Sequence, residues 1–331
     1  MKKVFIHWGP HRAHKAWAES INCEICPFIP RIFFFLRFQS PLIHQFAAAL
    51  FCFRIPKADI YLIEGMGCII PAIIRKKKGS KIIMINDDPF FYDYGNLSGL
   101  RKKIYDILLS NVDAIVSTSG YMDKQIPKKV KAKRAINPLF ADIRKFSTID
   151  ADLKQKTLGF IGRLRNKKGI DILLSVFSQV HKKDNSYRLY LVGNIEDKSL
   201  RKKLEKLDHK VRDNIHITGF IDNPWHYMEK IGTYVNPARH EPFGINVIEA
   251  MCAGIPPIVT SNCGAADIVA KAAPELVVKA DRKAIISKIN WLNSDLRGKQ
   301  ILGEKCRKEG EKYTIKRSVE AFKKIFNSLG F

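Results

Sequence analysis

No stretch of this sequence stays apolar and uncharged for the length of a membrane span. The nearest approach, Phe38 to Phe53, is interrupted by Gln39, Ser40, Pro41, His44 and Gln45. A secretory leader is not expected either. The start, Met-Lys-Lys-Val-Phe-Ile-His-Trp-Gly, turns polar too soon and reads as a first buried strand. The expected location is the cytoplasm, with the cytoplasmic membrane face as a peripheral option. Seven cysteines, an odd number, form no framework. Cys23 and Cys26 make one Cys-x-x-Cys, but no second pair or histidine pair follows at zinc spacing, so reduced thiols are expected rather than a metal or redox centre. Short repeats, low-complexity tracts and heptads are absent. So are helix-turn-helix, zinc-finger and RNA-binding signatures, which argues against a specific nucleic-acid partner.

What is there is a chain of 331 residues, too long for one ordinary core, so two domains are expected. With 46% hydrophobic and 10% aromatic residues it is globular rather than disordered. The outlying number is a net charge of +25. Residues 1–150 hold 24 Lys/Arg against 12 Asp/Glu and the remainder 33 against 20, so the excess is spread over both halves and forms no tail. Nucleic acid, an anionic membrane surface and phosphorylated small molecules all fit that charge.

Strand-like apolar runs alternate with helical patterns throughout, as in parallel α/β sheets. Val4–Trp8, Ile60–Glu64, Lys81–Ile85 and Ala114–Thr118 read as strands of the first half, with helices at Pro41–Phe53 (Ser40 as its cap) and Leu100–Ser110. A polar linker falls around Ser147–Lys156. The pattern then restarts with strands Thr157–Ile161, Tyr187–Val192, Ile215–Thr218, Thr233–Asn236 and Ile258–Thr260, alternating with helices Asp171–Lys182, Lys198–Leu207 and Gly244–Ala253. A last helical pattern covers Ile315–Leu329. Two open α/β domains follow, with ligands at the carboxyl ends of strands.

Two motifs carry chemistry. In Glu241-Pro-Phe-Gly-Ile-Asn-Val-Ile-Glu249, a helix starting near Gly244 leaves the N–H groups of Phe243, Gly244 and Ile245 free to meet an anion, with a carboxylate on each side. That layout suits a ligand with hydroxyl groups on both sides of a phosphate, such as a nucleotide sugar. In Gly162-Arg-Leu-Arg-Asn-Lys-Lys-Gly169, a glycine ends a strand and Arg163 and Lys168 flank the mouth of the next helix. Spacing alone leaves that loop either a diphosphate site or a solvated basic surface.

Phe160-Ile-Gly-Arg-Leu, Lys168-Gly-Ile-Asp-Ile-Leu, Leu191-Val-Gly, Ile217-Thr-Gly-Phe and the run from Asn236 through Glu241 and Glu249 to Thr260 occur in that order. Together they resemble the nucleotide-sugar half of the GT-B glycosyltransferases of family 4, the retaining group 1 enzymes, over roughly residues 157–270. The resemblance implies an α/β GT-B fold: two Rossmann-like domains facing a cleft. Residues 1–150 would bind the acceptor and 151–312 the donor, with 313–331 a helix packing back on the first domain. It assigns Arg163 and Lys168 to the donor diphosphate, Glu241 to the sugar hydroxyls and Glu249 to the ribose. Phe243, Gly244 and Ile245 would meet sugar or phosphate, and Gly219, Phe220 and Ile221 the base. Gly162 lines the same donor site.

Glycosyl transfer needs the bond from the anomeric carbon to the diphosphate to weaken as positive charge develops on the sugar. Arg163, Lys168 and the helix amides would stabilise the departing phosphate. Asn86-Asp87-Asp88-Pro89 is not the Asp-x-Asp of metal-dependent transferases, so no metal and no cofactor are expected beyond a UDP- or GDP-linked co-substrate. The first half departs from the family. It offers Gly9, His11, Asp87, Asp88 and Ser119, with His240 of the second half, as groups for the acceptor or sugar; turn, cap and packing roles compete for each of them. The greasy, basic-flanked stretch Arg31–Phe38 suggests either a core helix or a contact with anionic headgroups that would serve a lipid-linked acceptor. The rivals are a nucleotide-sugar epimerase or phosphorylase on the same fold, and a basic nucleic-acid-binding protein.

Overall fold

The computed structural model describes residues 1–9, 11–27, 50 and 52–331, and the chain divides into two units. The first comprises Met1–Leu139 with Ile315–Phe331, and the second Phe140–Thr314. The basic-flanked stretch Arg31–Phe38 and nearly all of the helix expected over Pro41–Phe53 lie outside the described residues. The helices that position the sites are α1 (Arg12–Ser20), α2 (Gly99–Leu109), α3 (Gly120–Lys124), α4 (Ile170–Lys183), α5 (Ile245–Cys252), α6 (Leu296–Gly310) and α7 (Ile315–Ser328).

The first unit is built on six parallel strands: β1 (Lys3–His7), β2 (Glu24–Pro27), β3 (Ile60–Glu64), β4 (Lys81–Asn86), β5 (Ala114–Ser117) and β6 (Lys133–Ile136). Their order is β2-β1-β3-β4-β5-β6, so the progression reverses between β1 and β3. The central strands are buried on both faces, which is why Ile60–Ile63 and Ile82–Ile85 read as unbroken apolar runs. The strands β2 and β6 escape a reading by apolar pattern because they are edges. Lys133-Arg-Ala-Ile is largely solvent-facing, and Glu-Ile-Cys-Pro ends in proline. Helix α7 belongs to this unit: Trp17 stacks on Phe322 with centroids 5.1 Å apart and donates to Ser318 Oγ at 2.9 Å.

The second unit repeats the plan with β7 (Thr157–Ile161), β8 (Arg188–Val192), β9 (Ile215–Ile217), β10 (Thr233–Asn236), β11 (Pro257–Thr260) and β12 (Val277–Val278), in the order β12-β11-β10-β7-β8-β9. Here the reversal lies between β7 and β10. The polar stretch 147–156 is no free linker, and the unit boundary falls at Leu139/Phe140 rather than at 150. Two cations of α6 hold the stretch down. Arg307 donates to the carbonyls of Ser147 and Ile149, and the buried Lys299 to that of Leu153 at 2.9 Å. All seven cysteines are free thiols, and burial pushes the Cys23 and Cys26 thiols up to about 12 and about 11. No helix among the described residues is long and apolar enough to cross a membrane.

Candidate functional site

In the second unit the residues singled out by sequence gather at the carboxyl ends of β7, β8, β9 and β10, around the reversal point where open sheets bind ligands. Gly162 follows β7 at φ 140° and donates its N–H to Val192 O at 2.9 Å. Gly193 follows β8 at φ 145°, so close beneath that a Cβ there would lie 2.0 Å from Gly162 O. Gly219 after β9 bridges back to Gly193. Three strand ends thus form a floor too tight for side chains. Beyond it the Phe220 N–H donates to Asn194 Oδ1 at 2.8 Å while the Phe220 ring stands 75% exposed, with Ile221 half-buried next in the chain.

Arg163 is exposed and makes no hydrogen bond or ion pair among the described residues. Lys168 closes a short turn and pairs with Glu241, Nζ to Oε2 at 2.6 Å, both side chains being mostly buried. That pairing brings together two residues 73 positions apart. The loop after β10 is fixed from both sides. The Arg239 and His240 N–H groups donate to Lys167 O, and the Arg239 guanidinium forks onto Asp171 of α4 at 2.6 and 2.7 Å. Glu241 donates its N–H to Asn262 O and accepts from Gly264 N–H, which locks its backbone. His240 is buried within this loop.

Helix α5 starts behind Gly244, whose φ of 91° demands glycine. The N–H groups of Phe243, Gly244 and Ile245 donate to no acceptor among the described residues, while the Phe243 ring is buried. Only the amides of that loop are on offer, not the aromatic face. Asn246, which sequence reading passed over, donates to Ile161 O and ties the helix start to the end of β7. Glu249 sits half-buried on the second turn of α5. Burial, with the Asp142 carboxylate nearby, pushes its carboxyl up to about 7.

In the first unit Gly9 follows β1 and His11 caps α1, accepting the Ala13 N–H on Nδ1 at 3.3 Å. Burial and the neighbouring His14 lower the His11 imidazole to about 4. Asp87 accepts the Thr118 hydroxyl at 3.0 Å. Asp88 and Ser119 are spent on backbone: Asp88 accepts the N–H groups of Met66 and Phe90, and Ser119 caps α3 through the Met122 N–H at 3.2 Å. Sequence reading did not single out Glu64 or His14, which lie beside this group at 2.8 Å from each other. An Asp-x-Asp does occur, Asp150-Ala-Asp152, but it precedes β7 and so lies at the wrong end of the strands; Asp152 caps the Lys154 N–H there. No group of three or more His, Cys, Asp or Glu side chains among the described residues is arranged to hold a metal ion.

Comparison with known proteins agrees with this geometry. The profile of the family described as glycosyl transferases group 1 matches residues 142–313. The capsular polysaccharide biosynthesis glycosyltransferase CapM of Staphylococcus aureus is 27% identical over 173 residues, 52% of this chain and 46% of that protein. A glycogen synthase of Hydrogenovibrio crunogenus is 30% identical over 187 residues, 55% of this chain and 37% of that one. The chain therefore matches less than half the length of either relative. Among solved structures, Anabaena HepE in complex with UDP superposes with a TM-score of 0.77 at 15% identity, covering 99% of this chain and 100% of that one. The sucrose-phosphate synthase of Thermosynechococcus elongatus gives 0.75 at 15% identity over 99% of both. At that identity the likeness concerns the fold, which is GT-B. The ordered strand ends, the matched profile and the shared fold converge: the chain belongs to the group 1 glycosyl transferases.

Proposed function

We propose that the protein moves a sugar from a nucleoside diphosphate donor to a glycan or lipid-linked acceptor, with retention at the anomeric carbon and with Arg163 and Lys168 in place of a metal. The second unit holds the donor and the first chooses the acceptor. The observation that carries this reading is Arg163, without an ion pair among the described residues, next to Gly162 of the glycine floor, which lies against Asn246 at a helix start with unused amides. Cations and oriented amides of this kind stabilise a departing diphosphate without reorganising at the moment of reaction. The Lys168–Glu241 pair supports the same reading. A diphosphate draws Lys168 to itself and frees Glu241 for sugar hydroxyls, while Glu249 takes the ribose and the Gly219–Ile221 segment the base. The UDP bound by HepE favours a UDP-linked donor over a GDP-linked one, and the capsular role in CapM's name favours a cell-surface glycan as product.

Thermal-shift titration with UDP, GDP and ADP tests this. One of them is expected to stabilise the chain, and Arg163→Ala to weaken its binding roughly 10–100-fold, in keeping with a lost charge-assisted phosphate contact. Indifference to all three would sink the reading.

A peripheral contact with an anionic membrane fits a lipid-linked acceptor. Helix α2 buries Tyr105 and Leu109 but leaves Leu100, Ile104 and Ile107 exposed at 74%, 41% and 66%, interleaved with Arg101, Lys102 and Lys103. Apolar and basic groups on one exposed helix suit an interface. The chain is expected to float with anionic vesicles and not with neutral ones. Changing all three apolar residues to serine is expected to reduce binding about tenfold or more. Equal, negligible flotation in both would remove the membrane from the proposal.

A further inference from the structure

Within the second unit, ion pairs of two different kinds join the turn before α4 to the loop after β10. Lys168, in the turn, meets Glu241 of the loop through a single contact, Nζ to Oε2 at 2.6 Å. Arg239 of the loop meets Asp171, in the first turn of α4, through two: Nη1 to Oδ1 at 2.6 Å and Nη2 to Oδ2 at 2.7 Å. Its Nη1 also donates to Asn166 O at 2.7 Å, and its backbone N–H to Lys167 O at 2.9 Å. Burial alone would raise the Asp171 carboxyl. The hydrogen bonds and charge of Arg239, with Lys203 nearby, outweigh it and hold that carboxyl below its usual range.

The order of charges along the two segments favours one register. In the first, the cation Lys168 precedes the anion Asp171; in the second, Arg239 precedes Glu241. The observed pairing sets each cation against an anion. Exchanged partners would place Lys168 against Arg239 and Asp171 against Glu241, like charge on like in both cases. The two kinds of link also differ in how they let go. A lysine ammonium is a mobile point charge, whereas a guanidinium forked onto a carboxylate is fixed in plane and direction. An incoming phosphate has one side-chain bond to replace at Lys168 and at least three at Arg239.

Resting on the nucleotide-sugar reading, we propose that Arg239 and Asp171 are positioning residues for the donor. The Lys168–Glu241 link opens when a diphosphate draws Lys168 away. The Arg239–Asp171 fork stays closed, so the turn and the loop keep their places while that link is open. Lys168 then reaches the phosphate from a fixed turn. Glu241 remains where it stood, with its oxygens released for sugar hydroxyls. Neither Arg239 nor Asp171 touches the donor; both act through Lys168 and Glu241. A small displacement of groups that grip a ligand costs much of their effect, and the fork prevents it.

Calorimetric titration with UDP and UMP, GDP and GMP, and ADP and AMP tests this, because Lys168 is drawn by the distal phosphate that the monophosphates lack. The preferred diphosphate is expected to bind the wild-type chain about tenfold or more tighter than its own monophosphate. Arg239→Gln is expected to erase most of that advantage, weakening the diphosphate about tenfold and the monophosphate by less than about twofold. Arg239→Lys, with the charge but not the fork, is expected to recover only part of it. Asp171→Asn keeps the shape and one acceptor oxygen, so it tests the pair in a chain with less risk of misfolding; an intermediate loss is expected. Urea melts of each variant separate affinity from stability. Variants that lose stability with the diphosphate-to-monophosphate ratio unchanged overturn the proposal, since the fork then serves the fold alone. So does wild-type binding of both nucleotides by Arg239→Gln. A wild-type chain that binds none of the six removes the donor reading itself, and this proposal with it.

Discussion

Alanine at Gly169 is expected to destabilise the second unit by about 3–5 kcal/mol, the range reserved for backbone strain compounded by a buried clash. Gly169 has φ 73°, and a Cβ built there falls 1.9 Å from the carbonyl oxygen of Pro237. Backbone cannot rotate aside as a flexible side chain can. The contact exists because Lys167 O accepts the N–H groups of Arg239 and His240, drawing the loop after β10 onto the turn before α4. Relief of the clash would therefore separate Lys168 from Glu241, so nucleotide binding should fall with stability. Gly79→Ala is the control. Its φ is 86° but no atom lies within 4 Å, and left-handed backbone alone costs about 1–2 kcal/mol. Urea melts of the two variants should differ by at least about 2 kcal/mol. Equal losses would mean that the Pro237 contact relaxes freely.

Glu249→Gln should stabilise the unliganded chain at pH 8 by about 2–3 kcal/mol and leave it unchanged at pH 4. The sign follows from the raised carboxyl. Its ordinary value is 4.5 and its folded value about 7, because burial and the Asp142 carboxylate oppose ionisation. Between those values the folded chain holds a proton that the unfolded chain has lost. Stability therefore declines as pH rises from about 4.5 to about 7 and levels off above. Glutamine, always neutral, removes that decline. The same change leaves a ribose one neutral acceptor oxygen in place of a charged carboxylate, so stability and nucleotide affinity should move in opposite directions. Urea melts at the two pH values, paired with nucleotide titrations, check both halves. A wild-type chain as stable as the variant at pH 8 would show that Glu249 ionises without penalty.

Much of the second unit was legible because its functional signals are local. Glycine at 162, 193, 219 and 244 each answers to a positive φ at a strand end or helix start, a property of that residue's own backbone. The Glu241–Glu249 interval fixed one carboxylate in a loop and the other on the second turn of α5 whatever surrounds them. In the first unit the informative pairs are 50 or more residues apart in sequence, as with His14 and Glu64, and no spacing rule reaches them. Asp88 and Ser119 looked equivalent to Asp87 as polar residues after strands. Only the fold shows that Asp88 and Ser119 accept backbone N–H groups whereas Asp87 accepts the Thr118 hydroxyl.

By itself, then, the sequence determined the alternation of strand and helix, the glycine turns and the family to which the second unit belongs, since periodicity and backbone preference are written residue by residue. The tertiary structure decided which charges meet: Lys168 with Glu241, Arg239 with Asp171, and Glu64 with His14 facing Asp87. It also decided that the polar stretch before β7 is held down rather than loose, by cations 150 or so residues onward. Charge pairing depends on distance in space, and parallel sheets bring strand ends together from remote parts of the chain, so that information exists only once the sheets have formed.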